Sequence, residues 1–380
     1  MANNNENKVL NVPPLRFPEF SGVWKKCTIN DLATVVGGGT PDTTVKSYWG
    51  GDIQWFTPSE IGKNKYVDFS LRTITRDGLD NSSAKLLPLH TILLSSRATV
   101  GECSIASNEC TTNQGFQSLI AKQCNIDFLY YLIQTKKKDL IRNACGSTFL
   151  EISANEIRKI KVAVPVQNEQ EQIAKLLSLV DERIATQNKI IEKYESLING
   201  INCKIFASIQ GSEYRLWDIA TITNGNSNVQ DASTEYRIGF YPFFDRSEEI
   251  KYLPTFLFDK ESIIYPGEGT EFTPRYFNGK FAVHQMCYAI FDFKEVVNPK
   301  FVYFFLKTQN SYFIRNAVGS TVPSLRLDTF QKLKVVIPLP EIQHSVSSFL
   351  SVLEQKLDVE NNVIKKFLWQ KQYLLRQMFI

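Results

Sequence analysis

Few residues in this sequence are of the types that usually carry out catalysis or bind metal. Histidine occurs only three times in 380 residues, and His90, His284 and His344 lie far apart without the spacing of metal ligands. No glycine-rich phosphate loop ends in Gly-Lys-Ser or Gly-Lys-Thr. The sequence leaves a Ser–His–Asp triad open, although no Gly-x-Ser-x-Gly elbow supports one. Glu354-Gln355-Lys356 has the acid-x-Lys spacing of some nucleases, but we interpret it as the solvated face of a helix. The sequence therefore predicts no catalytic residue and no metal.

The bulk composition permits nucleic-acid binding without establishing it. Lys and Arg number 43 against 39 Asp and Glu, which gives a formal net charge of +4. The seven cysteines include no Cys-x-x-Cys pair, so we predict reduced thiols instead of disulfides or a zinc ribbon. The N-terminus is polar, and no stretch reaches the roughly 18 apolar residues of a membrane span. We therefore expect a soluble, cytoplasmic protein.

An internal repeat organises the chain. Residues 142–206 match residues 315–379 at a constant offset of 173, with 17 identities over 65 positions. Looser similarity extends upstream, where Gly38 resembles Gly225 at an offset of 187. The interior of each half has therefore diverged in length and in sequence. The order along the chain is a variable domain, a shared segment, a second variable domain and a second shared segment.

Both shared segments have the residue spacing of a long helix in a coiled coil. Apolar residues recur in alternating steps of four and three, which is the a/d pattern of a heptad repeat. The first seam consists of Ile173, Leu177, Val180, Ile184, Gln187, Ile191, Tyr194 and Ile198. The second seam is weaker because it includes Glu360 and Lys371, and its other members are Val346, Leu350, Leu353, Leu357, Ile364, Phe367, Leu374 and Met378.

We predict that the two long helices pair with each other in antiparallel orientation. Each spans roughly 38–40 residues, or about 60 Å, which is too long for its apolar stripe to be buried in one small domain. Antiparallel pairing places Gln187 near Ile364 and Ile191 near Glu360. The alternative is that each helix packs independently on its own domain.

The two variable segments have the pattern of mixed α/β domains. Short strand-like runs broken by turn residues occur at 33–36, 53–56, 91–95, 161–164, 221–223, 241–244, 262–265 and 281–291, with helical stretches at 126–143 and 299–316. We therefore predict an α+β fold in which two mixed α/β domains are separated by two long helices that form an antiparallel coiled coil, with a pseudo-two-fold internal repeat. The predicted boundaries are a disordered N-terminus at 1–12, domains at 13–166 and 210–338, and spacer helices at 167–209 and 339–380.

Local motifs in a particular order accompany this plan. They are Val12-Pro13-Pro14-Leu15-Arg16-Phe17-Pro18, Asp31-Leu32-Ala33, Gly39-Thr40-Pro41, Ile53-Gln54-Trp55-Phe56-Thr57-Pro58-Ser59, Ile92-Leu93-Leu94-Ser95-Ser96-Arg97, Asn113-Gln114-Gly115, Gly146-Ser147-Thr148, Glu169-Gln170-Glu171-Gln172-Ile173-Ala174, Tyr241-Pro242-Phe243-Phe244, His284-Gln285, Gly319-Ser320-Thr321 and Gln377-Met378-Phe379. In this order, with heptad helices between them, they make the chain resemble the specificity subunit of a type I restriction-modification enzyme from Val12 to Ile380. One departure is Glu341-Ile342-Gln343, where the family usually repeats the Glu- and Gln-rich helix start.

This resemblance implies a function and a set of partners. Each variable segment would be a target-recognition domain that reads one half of a bipartite site in double-stranded DNA. The paired helices would set the separation of the two domains and dock methyltransferase subunits, two of them by expectation. Motor-nuclease subunits would join the complex. S-adenosylmethionine, ATP and magnesium would bind to those partner subunits, so this chain would hold no cofactor and would be non-catalytic.

Candidate DNA contacts are side chains that can reach base edges or phosphates. In the first domain the candidates are Thr57, Ser59, Lys63, Lys65, Arg72, Arg97 and Gln114. In the second domain they are Arg237, Arg246, Lys251, Arg275, Lys280 and Gln285. For each of them the alternative is a solvated surface residue or, for the two glutamines, a polar residue of the core. We interpret Tyr241, Phe243 and Phe244 as sheet core and not as a base-stacking surface.

Two other classes of function stay open at this point. The chain would be an enzyme if it were a fused nuclease or methyltransferase, but no substrate-activating set of residues supports that interpretation. It would be a stand-alone regulator if its coiled coil and domains bound DNA without enzyme partners. Methyl transfer by the purified chain would indicate the first, and footprints at promoters would indicate the second.

Overall fold

Residues 11–146 and 150–380 are described by the computed structural model, and they belong to two units. The first unit extends to Asn188 and also includes residues 363–380, whereas the second unit is Lys189–Asn362. Each unit therefore contains one variable domain together with parts of both long helices. The predicted disorder at 1–12 falls almost entirely outside the described residues, as do Ser147 and Thr148 of the first Gly-Ser-Thr motif.

The first unit combines three sheets with short helices and the start of the first long helix. Its strands are β1 (Lys25–Thr28), β2 (Ala33–Gly37), β3 (Trp49–Phe56), β4 (Tyr66–Val67), β5 (Arg72–Ile74), β6 (Ile92–Leu94), β7 (Cys103–Ala106), β8 (Cys110–Thr112), β9 (Gln117–Ala121) and β10 (Lys161–Val164). Its helices are α1 (Ile29–Leu32), α2 (Arg76–Asp80), α3 (Ile126–Thr135), α4 (Lys137–Arg142), α5 (Ala154–Lys159) and α6 (Gln167–Ser208), the last of which continues into the second unit. The strand orders are β2-β9-β6-β7-β4, β5-β3-β8 and β1-β10.

The second unit has a larger sheet and a similar set of helices. Its strands are β11 (Ser212–Arg215), β12 (Thr221–Asn224), β13 (Tyr241–Phe244), β14 (Lys251–Leu253), β15 (Phe258–Pro266), β16 (Arg275–Val283), β17 (Cys287–Phe291) and β18 (Lys334–Ile337). Its helices are α7 (Leu216–Ile219), α8 (Pro299–Lys307), α9 (Asn310–Asn316), α10 (Leu327–Lys332) and α11 (Pro340–Gln377), whose last part lies in the first unit. The strand orders are β12-β17-β15-β16-β13-β14 and β11-β18.

The end of α11 completes the core of the first unit. Leu374 and Met378 belong to the same buried cluster as Ile173 and Leu177 of α6. The Leu15 N–H also donates to the carbonyl of Gln377 at 2.9 Å. The alternative in which each helix packs only on its own domain is therefore wrong.

The contact between the long helices inside the first unit is antiparallel. The Lys371 ammonium of α11 lies 2.7 Å from the Asp181 carboxylate of α6. This pair is one residue away from the register predicted for Gln187 and Ile364. In the second unit, Phe206 near the end of α6 and Val346 near the start of α11 pack against one core. The predicted antiparallel coiled coil is confirmed.

The heptad seams of both long helices are shielded from solvent. Every seam residue of α6 and of α11 that the spacing predicts is buried or half-buried. The buried ones are Ile173, Leu177, Val180, Gln187, Ile191, Leu350, Leu374 and Met378, and the half-buried ones are Ile184, Tyr194, Ile198, Val346, Leu353, Leu357, Glu360, Ile364, Phe367 and Lys371. No helix within the described residues is long and apolar enough to cross a membrane.

The predicted elements differ from the structure where the chain turns inside an apolar run. The stretch predicted as one helix at 126–143 is broken at Lys136, whose ψ of 7° ends α3. The stretch at 299–316 is likewise broken at Gln309, with a ψ of 10°. The run at 281–291 is two strands, because a turn in which the Cys287 N–H donates to the His284 carbonyl separates them. Apolar spacing continues through such turns and does not mark them.

The strands missing from the prediction include β1 and β11, whose residues are mostly polar. β1 and β11 pair with β10 and β18, the strands that lead into the long helices. All seven cysteines lie in the described residues and are free, as predicted. Phe243 and Phe244 are buried at 0% and 2% exposure, which confirms the interpretation of this run as sheet core.

Candidate nucleic-acid interface

Three loops of the first unit meet at the ends of its strands. The Gly39 N–H donates to the Thr112 carbonyl at 2.8 Å, and the Asn113 N–H donates to the Phe56 carbonyl at 3.1 Å. These bonds join the loop after β2, the loop after β3 and the loop between β8 and β9. Gly38 is required at this crossing because a Cβ atom there would lie 2.1 Å from the Asn113 carbonyl oxygen.

A fourth loop joins them through Ser96. Its N–H donates to the Gly115 carbonyl at 2.8 Å, and its carbonyl accepts from the Ile152 N–H at 2.9 Å. The next residue, Arg97, lies opposite Glu151, and their side chains form an ion pair at 2.7 Å. We call residues 38–40, 57–60, 96–99 and 113–115 the first loop cluster.

The second unit has the same arrangement of loops. The His284 N–H donates to the Phe244 carbonyl at 2.9 Å, as Asn113 does to Phe56. The Leu325 N–H donates to the Gly267 carbonyl at 2.7 Å. A Cβ atom on Gly225 would lie 1.9 Å from a main-chain carbonyl oxygen. Each feature has a counterpart in the first unit, so we call residues 225–227, 245–249, 267–269 and 284–286 the second loop cluster.

The first loop cluster brings several predicted residues together. The exposed Gln114 side chain accepts a hydrogen bond from the Thr40 hydroxyl. The Thr57 N–H and hydroxyl donate to the Glu60 carboxylate at 2.7 and 2.6 Å, which caps the turn Pro58–Glu60. The exposed Ser59 hydroxyl is 3.0 Å from the hydroxyl of Thr57. The predicted residues in this cluster are Thr57, Ser59, Arg97 and Gln114.

The other candidates of the first unit lie outside its loop cluster. The Lys65 ammonium pairs with Asp127 at 2.7 Å, and its side chain is only 9% exposed, so Lys65 is engaged in contacts within the unit. Lys63 lines a cavity of 1180 Å³ together with residues of α6 and α11. The Arg72 guanidinium lies 3.6 Å from the centre of the Trp49 ring.

The candidates of the second unit separate in the same way. Arg246 and Gln285 belong to the second loop cluster, and both side chains are exposed. Arg237 is exposed in the segment that precedes β13. Lys280 lies on β16 with its ammonium 4.9 Å from the centre of the Phe256 ring. The last two candidates, Lys251 and Arg275, support the loop that carries Arg246.

A buried carboxylate organises that loop. Asp245 accepts the Ser247 N–H at 2.8 Å through one oxygen and the Lys251 ammonium at 2.6 Å through the other. Burial alone would raise the pKa of Asp245, but the hydrogen bonds from Lys251 and Ser247 outweigh it and hold this pKa below its ordinary value. The Arg275 guanidinium donates to the Ser247 carbonyl, and burial lowers the pKa of Arg275. The loop around Arg246 is therefore fixed from beneath.

Sequence reasoning did not single out the carboxylates of Glu60, Glu151, Asp245 and Glu268 at the loop clusters, and it named His284 only as part of a motif. An alignment anchored on Gly38 with Gly225 and on Gln114 with Gln285 would have indicated the equivalence of the two clusters. Glu151 and Glu268 face the arginines from distant segments of the chain, and the sequence gives no sign of that.

The family model for the type I restriction modification DNA specificity domain matches residues 22–196 and again residues 211–367. The chain belongs to this family. The two matches coincide with the repeated loop clusters and their helices. They do not favour the alternative of a stand-alone coiled-coil DNA-binding regulator.

Known specificity subunits are similar to this chain, one of them along most of its length. The type I restriction enzyme MjaIX specificity subunit of Methanocaldococcus jannaschii is 30% identical over 384 residues, covering 88% of this chain and 87% of its own. The EcoR124I/EcoR124II specificity subunit of Escherichia coli is 29% identical over 175 residues, covering 44% and 43% of the two chains.

The fold is also that of solved specificity subunits. The type I restriction-modification S subunit from M. genitalium superposes with a TM-score of 0.60 at 19% identity, covering 97% of this chain and 99% of that one. A chain from a study of complex assembly and conformational transition in the type I system superposes with a TM-score of 0.56 at 12% identity, over 93% and 96%. As a type I specificity subunit, this chain recognises DNA sequence, and the resemblance stated from its motifs is confirmed.

Proposed function

We propose that each loop cluster reads one half of a bipartite site in double-stranded DNA. The observation that carries this proposal is the recurrence of four equivalent loops in both units with different side chains at their tips. Two similar loop supports that carry different side chains fit the recognition of two different DNA half-sites. Exposed side chains such as Gln114 and Gln285 are of the type that bonds the edge of adenine in the major groove.

The long helices then serve as the spacer between the two half-sites. α6 has 42 residues and α11 has 38, which corresponds to roughly 57–63 Å of helix at ~1.5 Å per residue. α6 begins in the first unit and ends in the second, and α11 runs the other way. A pair of continuous helices is stiff because its backbone hydrogen bonds are uninterrupted, and this supports a fixed spacing between half-sites.

An exposed apolar stripe supports docking of methyltransferase subunits on the long helices. It lies one position before the seam, where Leu179 of α6 is 50% exposed in the first unit. Its repeat counterpart in the second unit, Val352 of α11, is 61% exposed, and Phe349 beside it is 49% exposed. Apolar side chains that are exposed at matching positions of the two units fit an interaction surface. One such stripe in each unit suits two copies of one partner.

The catalytic chemistry would then belong to the partners. Methyltransferase subunits would bind S-adenosylmethionine, and motor-nuclease subunits would bind ATP and magnesium. This chain would contribute sequence recognition and assembly in the cytoplasm, without a cofactor of its own.

The test of DNA reading uses the full chain co-expressed with the methyltransferase subunit of its own system. Sequencing of methylated bases should reveal a two-part site with a constant gap. Exchanging 57–60 and 113–115 for residues from a relative should change one half and leave the other half unchanged. A continuous site, or a change in both halves, would contradict the proposal.

The test of docking uses charge substitutions on the stripe. Leu179→Asp and Val352→Asp should each reduce the methyltransferase content from two copies to one, as measured by native mass spectrometry, and the double variant should bind none. Lys175→Asp, which is exposed on α6 off the stripe, is the matched control and should retain both copies. Retention of two copies by the double variant would rule out this surface.

A further inference from the structure

Each loop cluster contains a single lysine or arginine residue. In both clusters it is an arginine, and it faces a glutamate. In the first cluster it is Arg97, whose Nη2 donates to both Glu151 oxygens at 2.8 and 2.7 Å. In the second it is Arg246, whose Nη1 lies 3.9 Å from the Glu268 carboxylate. Within the stretches that define the two clusters, no second Lys or Arg occurs.

The two arginines come from different loops. Arg97 and Glu151 form an isolated β-bridge. At the same place in the second unit Glu268 and Ser324 form such a bridge, and Ser324 is the repeat counterpart of Glu151. Glu268 therefore occupies the position of Arg97 with the opposite charge. Arg246 is the second residue after Phe244, the buried end of its strand. In the first unit the second residue after the equivalent strand end, Phe56, is Pro58. One arginine–glutamate pair is present in both clusters although the sequence positions are not conserved between them.

Both arginines are accessible, in contrast with the cations beside them. The side chains of Arg97 and Arg246 are 42% and 67% exposed. Lys251 is 17% exposed and bound to Asp245, and Arg275 supports the main chain at Ser247. In the second cluster the neighbouring cations are thus occupied in holding loops, and Arg246 is left to meet a ligand.

We propose that Arg97 and Arg246 each read a guanine, one in each half-site. This inference rests on the proposed function and adds the base class to it. A guanidinium offers two parallel N–H donors that fit O6 and N7 of guanine in the major groove, and this is the commonest specific contact of arginine with DNA. The facing glutamates hold the guanidinium near its reading position before DNA binds, so that less side-chain freedom is lost on binding. Glu151 and Glu268 are therefore positioning residues.

The test measures binding of the complete methyltransferase complex to duplexes that carry its own site. Replacing the guanine of one half by 7-deazaguanine removes the N7 acceptor and should weaken binding about 5- to 100-fold. For Arg97→Ala the same replacement in the first half should have almost no further effect, because no side-chain donor to N7 of the guanine remains. Arg246→Ala should show this insensitivity in the other half only.

Matched variants separate base reading from general electrostatics. Arg142→Ala removes an exposed arginine of the first unit that pairs with Asp139 outside the cluster, and it should retain full sensitivity to 7-deazaguanine. Glu151→Gln and Glu268→Gln should weaken binding while leaving the preference for guanine in place. Circular dichroism of each complex checks that the variants are folded.

Three outcomes would decide the matter. Insensitivity confined to one half for each alanine variant supports the inference. Half-sites without guanine, or alanine variants that keep their sensitivity to the guanine analogue, overturn it while the bipartite function stands. Absence of any site-specific methylation would instead reject the proposed function itself.

Discussion

The Phe379 ring stacks on Phe128 in the first unit with ring centres 5.2 Å apart, and in the second unit the Phe206 ring lies 5.1 Å from Phe301. Both members of the second pair are the repeat counterparts of the first. The tips of the loops show the opposite behaviour, since Arg97 and Glu268 carry opposite charges at equivalent positions. The contacts that anchor the ends of the long helices are therefore kept between the units, whereas the residues at the loop tips differ.

The ring pairs should give the largest difference in stability between the two units. Phe379→Ala removes a ring that is 5% exposed, and we expect a loss of about 3–5 kcal/mol of unfolding free energy. Phe206→Ala removes a half-buried ring, so about 1–3 kcal/mol is expected. Urea unfolding of the full chain, with hydrogen exchange resolved for each unit, measures both values. Equal losses would show that the two anchors are equally buried in solution.

The start of α6 offers the next largest contrast. Glu169 is fully buried and pairs with Arg16 at 2.7 Å, whereas its repeat counterpart Ile342 is 44% exposed. Arg16→Ala leaves a buried carboxylate without its cation, which we expect to cost about 3 kcal/mol in unfolding free energy. Ile342→Ala is the matched control and should change stability by less than about 0.5 kcal/mol. A small effect of Arg16→Ala would mean that water reaches Glu169.

A hydrogen bond from a tyrosine to an acidic residue of each long helix should contribute a smaller and equal amount to the stability of the two units. Tyr131 donates to Asp181 at 2.7 Å in the first unit, and Tyr303 donates to Glu354 at 3.0 Å in the second. Tyr131→Phe and Tyr303→Phe each remove one hydrogen bond while Lys371 and Lys307 still pair with the acids, so about 1 kcal/mol is expected from each. Thermal unfolding by calorimetry of both variants measures the two losses. Losses that differ by more than about twofold would contradict the expectation that the two hydrogen bonds contribute equally.

The smallest expected effect is local and depends on pH. The pKa of Asp245 is held below its ordinary value in the folded chain, so the stability that it lends to its loop is present at neutral pH. That contribution is lost as the pH falls through the folded-state pKa, because the carboxylate must then be protonated. The protection factors of residues 245–251 against hydrogen exchange should fall at acid pH, and Asp245→Asn should lower them already at neutral pH. An exchange rate of this variant equal to that of the unchanged chain would contradict the assigned support.

Sequence periodicity predicted the parts of the fold that depend only on the spacing of residues along the chain. The seam of α6 is readable because Ile173, Leu177 and Val180 face the same side of a helix whatever the helix packs against. The antiparallel pairing of the two long helices was also predictable, because the apolar seam of each helix was too long to be buried in one domain. The breaks at Lys136 and Gln309 were not, because they depend on backbone angles inside an apolar run.

The loop clusters were less accessible to prediction because they form through contacts between distant segments. Lys251 and Arg246 are both basic residues in one polar stretch, and sequence alone does not distinguish them. The distinction arises from Asp245, which is buried under the loop and holds Lys251. Whether a cation supports a loop or faces solvent is thus decided by a carboxylate whose burial the sequence does not show.

The two crossing glycines restrict how new specificities could arise in this scaffold. Because any side chain at Gly38 or Gly225 would collide with main chain, both crossings are locked, and tolerated changes in length or chemistry must fall beyond them. A library that randomises Thr40, Gln114 and Gln285 while retaining both glycines would therefore explore new target sequences without loosening the frame. Selection experiments on such a library should recover altered preferences at a higher rate than random mutagenesis of the whole chain.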